Sequence, residues 1–129
     1  MVLEAFARLC GLSEGGLSQF LNVPPRRVER WISGEVPVSP GALSALRRLH
    51  DRQQAAADGL IASWLEAGRP KSIDYVVASD DDAARRMGWP SRGAQLVVAA
   101  VAQAEIAPAR IMAKEVSPAK PEELDEKAA

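Results

Sequence analysis

The sequence contains one cysteine and one histidine among its 129 residues, and this scarcity excludes several classes of protein. With Cys10 alone, no disulfide can form within the chain, which excludes a secreted domain held by disulfides and favours a reducing, cytoplasmic setting. His50 has neither a second histidine nor a cysteine pair to share a zinc ion. We therefore expect no metal and no cofactor.

Long apolar runs are also missing, since no stretch approaches the roughly 20 residues that cross a bilayer. The N-terminal apolar pattern carries Glu4 and Arg8 within it and has no basic region before it, so it is typical of a helix and not of a signal peptide. The sequence shows no nucleophile paired with a base, no glycine-rich phosphate loop and no metal constellation. We expect a protein that is not an enzyme and has no membrane partner.

The chain has no large excess of either sign of charge, because its formal net charge is -1. This value argues against a protein that coats nucleic acid by bulk electrostatics, but the charges are unevenly distributed and give a basic N-terminal half. The clustered arginines are Arg26, Arg27, Arg30, Arg47, Arg48 and Arg52, and the clustered acids are Asp80, Asp81, Asp82, Glu122, Glu123, Asp125 and Glu126.

Helical spacing of apolar residues predicts four helices in the first half of the chain. The first ends at Gly11, the second runs from the N-cap Ser13 to Asn22, and the third begins at Pro24-Pro25 and ends at Gly34. A long helical stretch follows from Gly41 to about Ala67. Asp58-Gly59 is a point at which it is expected to break or bend.

The second half mixes strand and helix signals. Alternating apolar residues over 73–77 predict a short strand, and Asp80 to Met87 predicts a short helix with acids at its N-terminal end. The run Leu96 to Val101 predicts a buried strand, although its alanines leave a helix as the alternative. Beyond Ala107, proline, lysine and glutamate dominate, which predicts disorder.

These signals predict a mainly α fold in three parts. An N-terminal helical bundle with a helix-turn-helix occupies residues 1–58, a small α+β dimerisation region occupies 59–107, and a disordered C-terminal tail occupies 108–129.

Residues Leu12 to Gly34 form the segment with the clearest functional pattern, LSEGGLSQFLNVPPRRVERWISG. Two short helices separated by a tight turn allow the first to brace the second at a steep angle. On the second of these helices Val28, Trp31 and Ile32 are expected in the core. The residues left outside are Pro25, Arg26, Arg27, Glu29 and Arg30.

This pattern, LSxxxLSxFLNVPxRxVxRWxSGxxxxP, resembles the Xre/Cro-type helix-turn-helix of phage and bacterial repressors. The matching residues are Leu12, Leu17, Leu21, Val23, Val28, Trp31, Ser33, Gly34 and Pro37 or Pro40. The resemblance implies that the third helix enters the major groove of double-stranded DNA, where Arg26, Arg27 and Arg30 have the chemistry to contact bases or phosphates. Ser13, at the start of the second helix, is a candidate phosphate contact. Pro25 and Glu29, on the outer side of the third helix, complete the predicted DNA-binding set. Glu14 departs from the family's usual Gln, which weakens a phosphate contact there.

A single helix-turn-helix buries too little DNA for tight specific binding, so a homodimer on an inverted repeat is expected. The candidate dimerisation residues are the apolar ones that an N-terminal bundle does not need: Leu60, Ile61, Trp64, Tyr75, Val97, Val98 and Val101.

The order of features after Gly41 is similar to the anti-CRISPR-associated family of phage autoregulators: a long helix, Gly68 to Lys71, a strand with Tyr75, an acidic helix and Gly88-Trp89. That resemblance implies a repressor of its own operon, with RNA as a further partner. A generic phage or plasmid Xre regulator is the other reading of the same residues. An antitoxin with an Xre-type domain, whose second half grips a toxin, is the alternative function.

Overall fold

The structure, a computed structural model, describes residues 2–118, which contain six helices and one two-stranded parallel sheet. The elements in chain order are α1 Val2–Leu9, α2 Glu14–Leu21, α3 Pro25–Ser33, α4 Pro40–Glu66, β1 Ser72–Ala78, α5 Asp81–Arg86, α6 Arg92–Ile106 and β2 Arg110–Val116. The disorder predicted for residues 119–129 lies outside the described range.

Helices α1 to α4 surround the first hydrophobic core. The predicted N-cap Ser13 is confirmed, and α4 begins at Pro40, one residue before the predicted start. Ser13 caps α2 by accepting a hydrogen bond from the Gly16 N–H at 3.0 Å, and Ser39 caps α4 by accepting one from the Ala42 N–H at 3.2 Å. Such caps satisfy N–H groups that have no partner inside the helix. The buried members of this core are Leu3, Ala7, Cys10, Leu12, Leu17, Val28, Trp31, Ala42, Leu46 and Leu49.

Helix α4 runs without interruption through Asp58 and Gly59, where the sequence favours a break or bend. The preceding alanines are strong helix formers, and Ala57 is fully buried in a second core with Val98 and Ala102 of α6. Packing along this face therefore offsets the low helix propensity of a single glycine.

The sheet pairs β1 with β2 in parallel, with Ser72 opposite Arg110 and Ala78 opposite Val116. Strand β1 alternates between exposed and half-buried residues as predicted, and the short acidic helix is confirmed as α5. Asp80 caps α5 by accepting a hydrogen bond from the Ala83 N–H at 2.7 Å. Helices α5 and α6 connect the two strands, and α6 packs against both.

Two predictions for the second half are wrong. The run Leu96 to Val101 is not a strand but part of α6, because Ala94, Val98, Ala102 and Ile106 recur every fourth residue and are all buried on one helix face. Residues 110–116 are not disordered but form β2, whose charged sequence is ordered by backbone pairing with a strand distant in the chain.

The two halves meet at a junction built from α1, α4 and α6. The amide nitrogen of buried Gln53 on α4 donates to the carbonyls of Cys10 and Ala94, at 2.9 and 3.0 Å. Ser91, the N-cap of α6, donates to the Gly11 carbonyl at 3.2 Å. These contacts fix the N-terminal helices against the sheet region.

Within residues 2–118, no helix has both the length and the apolar character required to span a membrane.

Candidate nucleic-acid interface

The turn between α2 and α3 is held by backbone geometry and one serine. Asn22 ends α2 in the left-handed conformation, with φ 54°, and Pro24 is extended just before α3 begins. Ser18 donates its hydroxyl to the Val23 carbonyl at 2.6 Å, while the Val23 N–H donates to the Ser18 carbonyl at 3.1 Å. The sequence does not indicate this role of Ser18, because a side chain that bonds the backbone five residues further on does not follow a common local pattern.

Helix α3 has one buried and one exposed face. Val28 and Trp31 are 1% and 5% exposed, which confirms their predicted place in the core, and Ile32 is half-buried. Ser33, at the C-terminal end of the helix, is exposed, and so is the set that the sequence places outside: Pro25, Arg26, Arg27, Glu29 and Arg30. The α3 outer face, defined by these five residues, is therefore free of contacts that would cover it within residues 2–118.

Three arginines of this face converge on one concavity. Arg26, Arg27 and Arg30 line a groove of about 370 Å³ together with Pro24 and Val36. Arg30 lies 3.9 Å from a carboxylate oxygen of Glu35, while Arg26 and Arg27 have no carboxylate within 4.0 Å in the described part of the chain. Two guanidinium groups are thus available to an anionic ligand without breaking an ion pair.

The start of α3 offers few backbone donors. Pro24 and Pro25 lack an N–H group, and the Arg27 N–H donates to the Pro24 carbonyl at 3.0 Å. An ordinary helix N-terminus attracts anions through its free N–H groups, and here that contribution is largely removed. Any anion at this end of α3 is therefore bound mainly by the arginine side chains.

Ser13 is placed apart from the arginine groove. It lies in a separate concavity lined by α1 and α2, with Glu4 and Arg8 among its neighbours. Its oxygen accepts the capping hydrogen bond from Gly16, and its O–H group remains able to donate to an anion. The structure thus groups the three arginines in one groove, places Pro25 and Glu29 beside them on the exposed side of α3, and separates Ser13 from these five residues.

Of the seven residues predicted for dimerisation, Val98 is buried within the protomer and the other six are half-buried. Leu60, Ile61, Tyr75, Val98 and Val101 all belong to the second core, and Val98 is fully buried. The Tyr75 hydroxyl donates to the Gln95 carbonyl at 3.4 Å, and burial raises the pKa of Tyr75.

The other two residues of that set lie outside the second core. Trp64 donates its indole N–H to the Pro70 carbonyl at 2.8 Å, which ties the end of α4 to the loop before β1. Val97 is half-buried on α6. The apolar residues of the second half thus help to join α4, α6 and the sheet, and six of the seven keep part of their surface exposed.

Comparison with known proteins assigns no family: no protein-family model matches this chain, and no curated protein matches it significantly. The class that the fold defines is a mainly helical protein with a small parallel sheet over residues 2–118.

Proposed function

We propose that the chain is a sequence-specific DNA-binding transcriptional repressor in which α2 and α3 act as a helix-turn-helix. The observation that carries this proposal is the α3 outer face, where Arg26, Arg27 and Arg30 line one groove on a helix whose other side is anchored by Val28 and Trp31. An α-helix fits the major groove, and a guanidinium can bond both O6 and N7 of guanine.

The charge balance supports specific binding over general attraction to nucleic acid. Because the formal net charge is -1, long-range attraction to DNA is weak and the local arginines must supply most of the contact energy. Three arginines on one helix give modest affinity, so the proposal includes a homodimer that reads the two halves of an inverted repeat. Following the resemblance to phage autoregulators, the operator is expected upstream of the protein's own coding sequence.

The test is a fluorescence anisotropy titration of the chain's own upstream DNA at physiological salt, with an unrelated duplex as competitor. The double variant Arg26→Ala/Arg27→Ala is expected to lose roughly 10-fold to 100-fold in affinity for each arginine that reads a base. The variant Arg69→Ala/Lys71→Ala removes the same charge from the loop before β1 and should change affinity only slightly.

Two outcomes contradict the proposal: no specific binding of the upstream DNA, or equal losses for the two double variants. A protein that copurifies in stable one-to-one ratio from the native operon would instead support the antitoxin function.

A further inference from the structure

The outer edge of β2 has backbone groups that face away from β1. The Arg110 N–H donates to the Lys71 carbonyl at 2.9 Å, and the Ser79 N–H donates to the Val116 carbonyl at 2.9 Å. Alternate residues of a strand point their N–H and C=O groups to opposite edges. Even-numbered residues of β2 therefore bond to β1, while Ile111, Ala113 and Glu115 present theirs to the open side.

The open edge of β1 is covered by side chains of α6. The Gln95 amide accepts from the Ala78 N–H at 2.7 Å and donates to the Val76 carbonyl at 3.2 Å. Arg92 donates from Nε to the Ala78 carbonyl at 3.0 Å. The Gln95 amide bonds to β1 as a peptide group of a third strand would, so the C-terminal half of this edge is closed to another chain.

Gln103 covers only the N-terminal end of the open β2 edge. Its amide donates to the Ala109 carbonyl at 2.6 Å and accepts from the Ile111 N–H at 2.8 Å. Beyond this point, the Ile111 carbonyl and both backbone groups of Ala113 and Glu115 have no partner among residues 2–118. An open edge with unpaired backbone groups is a template for another strand.

We propose that the β2 edge is occupied by the β2 strand of a second copy of this chain, paired antiparallel about a two-fold axis at Ala113. The four-stranded sheet then has the order β1-β2-β2-β1 and forms the interface of the homodimer. The inference deepens the proposed function by giving its dimer an interface, and it depends on that function only for the reason to dimerise.

The register follows from charge and from the hydrogen bonds already made. With the axis at Ala113, Met112 lies opposite the partner's Lys114, and Arg110 lies opposite the partner's Val116. No like charges then face each other directly, which avoids a destabilising cross-strand pair.

The outward groups of Ala113 bond to the same residue of the partner. In the flanking pairs, the partner's Glu115 N–H donates to the free Ile111 carbonyl, and the partner's Glu115 carbonyl replaces Gln103 as the acceptor of the Ile111 N–H.

Other registers about a two-fold axis bring charges of one sign together or displace more of the existing bonds. An axis at Lys114 or Glu115 places that residue opposite its own copy, and an axis at Met112 places Lys114 opposite the partner's Arg110. An axis at Ile111 places both the Ile111 N–H and the Ala109 carbonyl opposite the partner, so both bonds of Gln103 would be lost. Ala113 is therefore the axis that keeps like charges apart and displaces only one Gln103 bond in each copy.

The surroundings of β2 also suit a second copy. Two strands span about 9.6 Å and packed helices lie about 8–10 Å apart, so the α6 helices of both copies fit side by side on one face of the joined sheet. On the other face, Met112 and Val116 are 44% and 38% exposed. The aliphatic parts of the partner's Lys114 and Arg110 would cover them.

The first test is disulfide formation by the purified full chain with Ala113→Cys under mild oxidation. In the proposed register the introduced thiols sit on residues whose Cα atoms are about 5.5 Å apart, within reach of a disulfide. We expect a covalent dimer from Ala113→Cys and little from the matched variants Met112→Cys and Lys114→Cys, whose equivalent Cα atoms lie beyond about 7 Å. Native Cys10 is fully buried and should not contribute. Equal crosslinking of all three variants, or none at Ala113→Cys, would overturn the proposal.

The second test is light scattering of the variant Ala113→Pro. Proline removes the N–H of residue 113, which has no hydrogen-bond partner within the protomer and bonds to the second copy in the proposed dimer. Each copy loses one hydrogen bond, so the dissociation constant of the dimer should rise by about tenfold per bond. Ala113→Ser is the control that keeps the N–H. Helical circular dichroism should be unchanged. An unaltered dimer would contradict the interface. Arg26→Ala/Arg27→Ala should stay dimeric while losing DNA, which separates failure of the interface from failure of the proposed function.

Discussion

Gly11 and Gly93 bring the end of the first helical segment and the start of α6 into direct backbone contact. A Cβ atom on Gly93 would lie 2.4 Å from the Gly11 carbonyl oxygen, and one on Gly11 would lie 2.3 Å from the Gly93 oxygen. Gly11 also has φ +80°, a conformation that favours glycine. The N-terminal helices and the sheet region are thus held together at a point where no side chain fits.

Replacing Gly93 by alanine should destabilise the whole chain. The new methyl group meets backbone and not a flexible side chain, so the free energy of unfolding is expected to fall by about 1–3 kcal/mol, or more if the junction opens. Urea denaturation measures this. Gly59→Ala is the control: nothing lies within 4 Å of its Cβ position in α4, and it should stabilise by about 0.5–1 kcal/mol. Similar values for the two variants would contradict the contact.

The Gln53 amide should contribute to stability through its two carbonyl partners. Gln53→Met keeps the length of the side chain but leaves the Cys10 and Ala94 carbonyls without their donor. We expect a loss of about 2–4 kcal/mol in the free energy of unfolding. Gln54→Met, at a half-buried position whose side chain makes no hydrogen bond within residues 2–118, should change it by less than about 0.5 kcal/mol. A small effect at Gln53 would show that water replaces the amide.

Salt dependence separates base contacts from phosphate contacts on the α3 outer face. If Arg26 binds a phosphate, Arg26→Ala should weaken binding to all duplexes and reduce the slope of log affinity against log salt by about 1. If it reads a base, the loss of affinity should be confined to the operator, and base specificity should be relaxed at one position of the operator. Titrations of Arg26→Ala and Arg27→Ala at several salt concentrations measure both quantities. Unchanged slope and unchanged specificity in both variants would remove these residues from the interface.

Stability should fall at alkaline pH because two buried groups resist ionisation. Burial raises the pKa of Cys10 above its ordinary value of 9.0, and burial raises the pKa of Tyr75 above 10.0 against the opposing charge of Arg52. The unfolded chain ionises first, so the stabilisation is complete below about pH 9 and is lost as the pH rises through the folded values.

Thermal melts from about pH 8 to about pH 11 check this, and the fall in Tm should be smaller in Cys10→Ala/Tyr75→Phe. An identical fall in the variant and in the natural chain would assign the alkaline loss to other groups.

The elements that the sequence predicts well are those with local signals. Ser13, Asn22 and Gly34 mark the ends of α2 and α3 by caps that depend on a few neighbouring residues, and the alternation over 73–77 marks β1. The exposed arginines of α3 follow directly from the placement of Val28 and Trp31. The fold and the outer face of the N-terminal half were therefore accessible from periodicity and capping.

The elements that the sequence does not predict depend on partners that are distant in the chain. The apolar residues of β2 do not alternate along the strand as those of β1 do, and the strand is formed by pairing with β1. Gln95 and Gln103 gave no signal of their roles, since a glutamine on a helix is ordinarily a solvated residue and only the strands beside α6 give these two amides something to bond. Gly93 has no signal of its own in the sequence, because its contact with Gly11 exists only after both halves have folded.

The parallel pairing of β1 and β2 also has a kinetic consequence. The first core joins helices that follow one another closely in the chain, whereas Ser72 meets Arg110 only after α5 and α6 have been brought into place. Because non-local pairing must close a long loop before it gains contacts, the sheet is expected to form last and to set the rate of folding. Until then the chain would carry a formed recognition helix beside an unfinished second half, in which β1 is open on both sides.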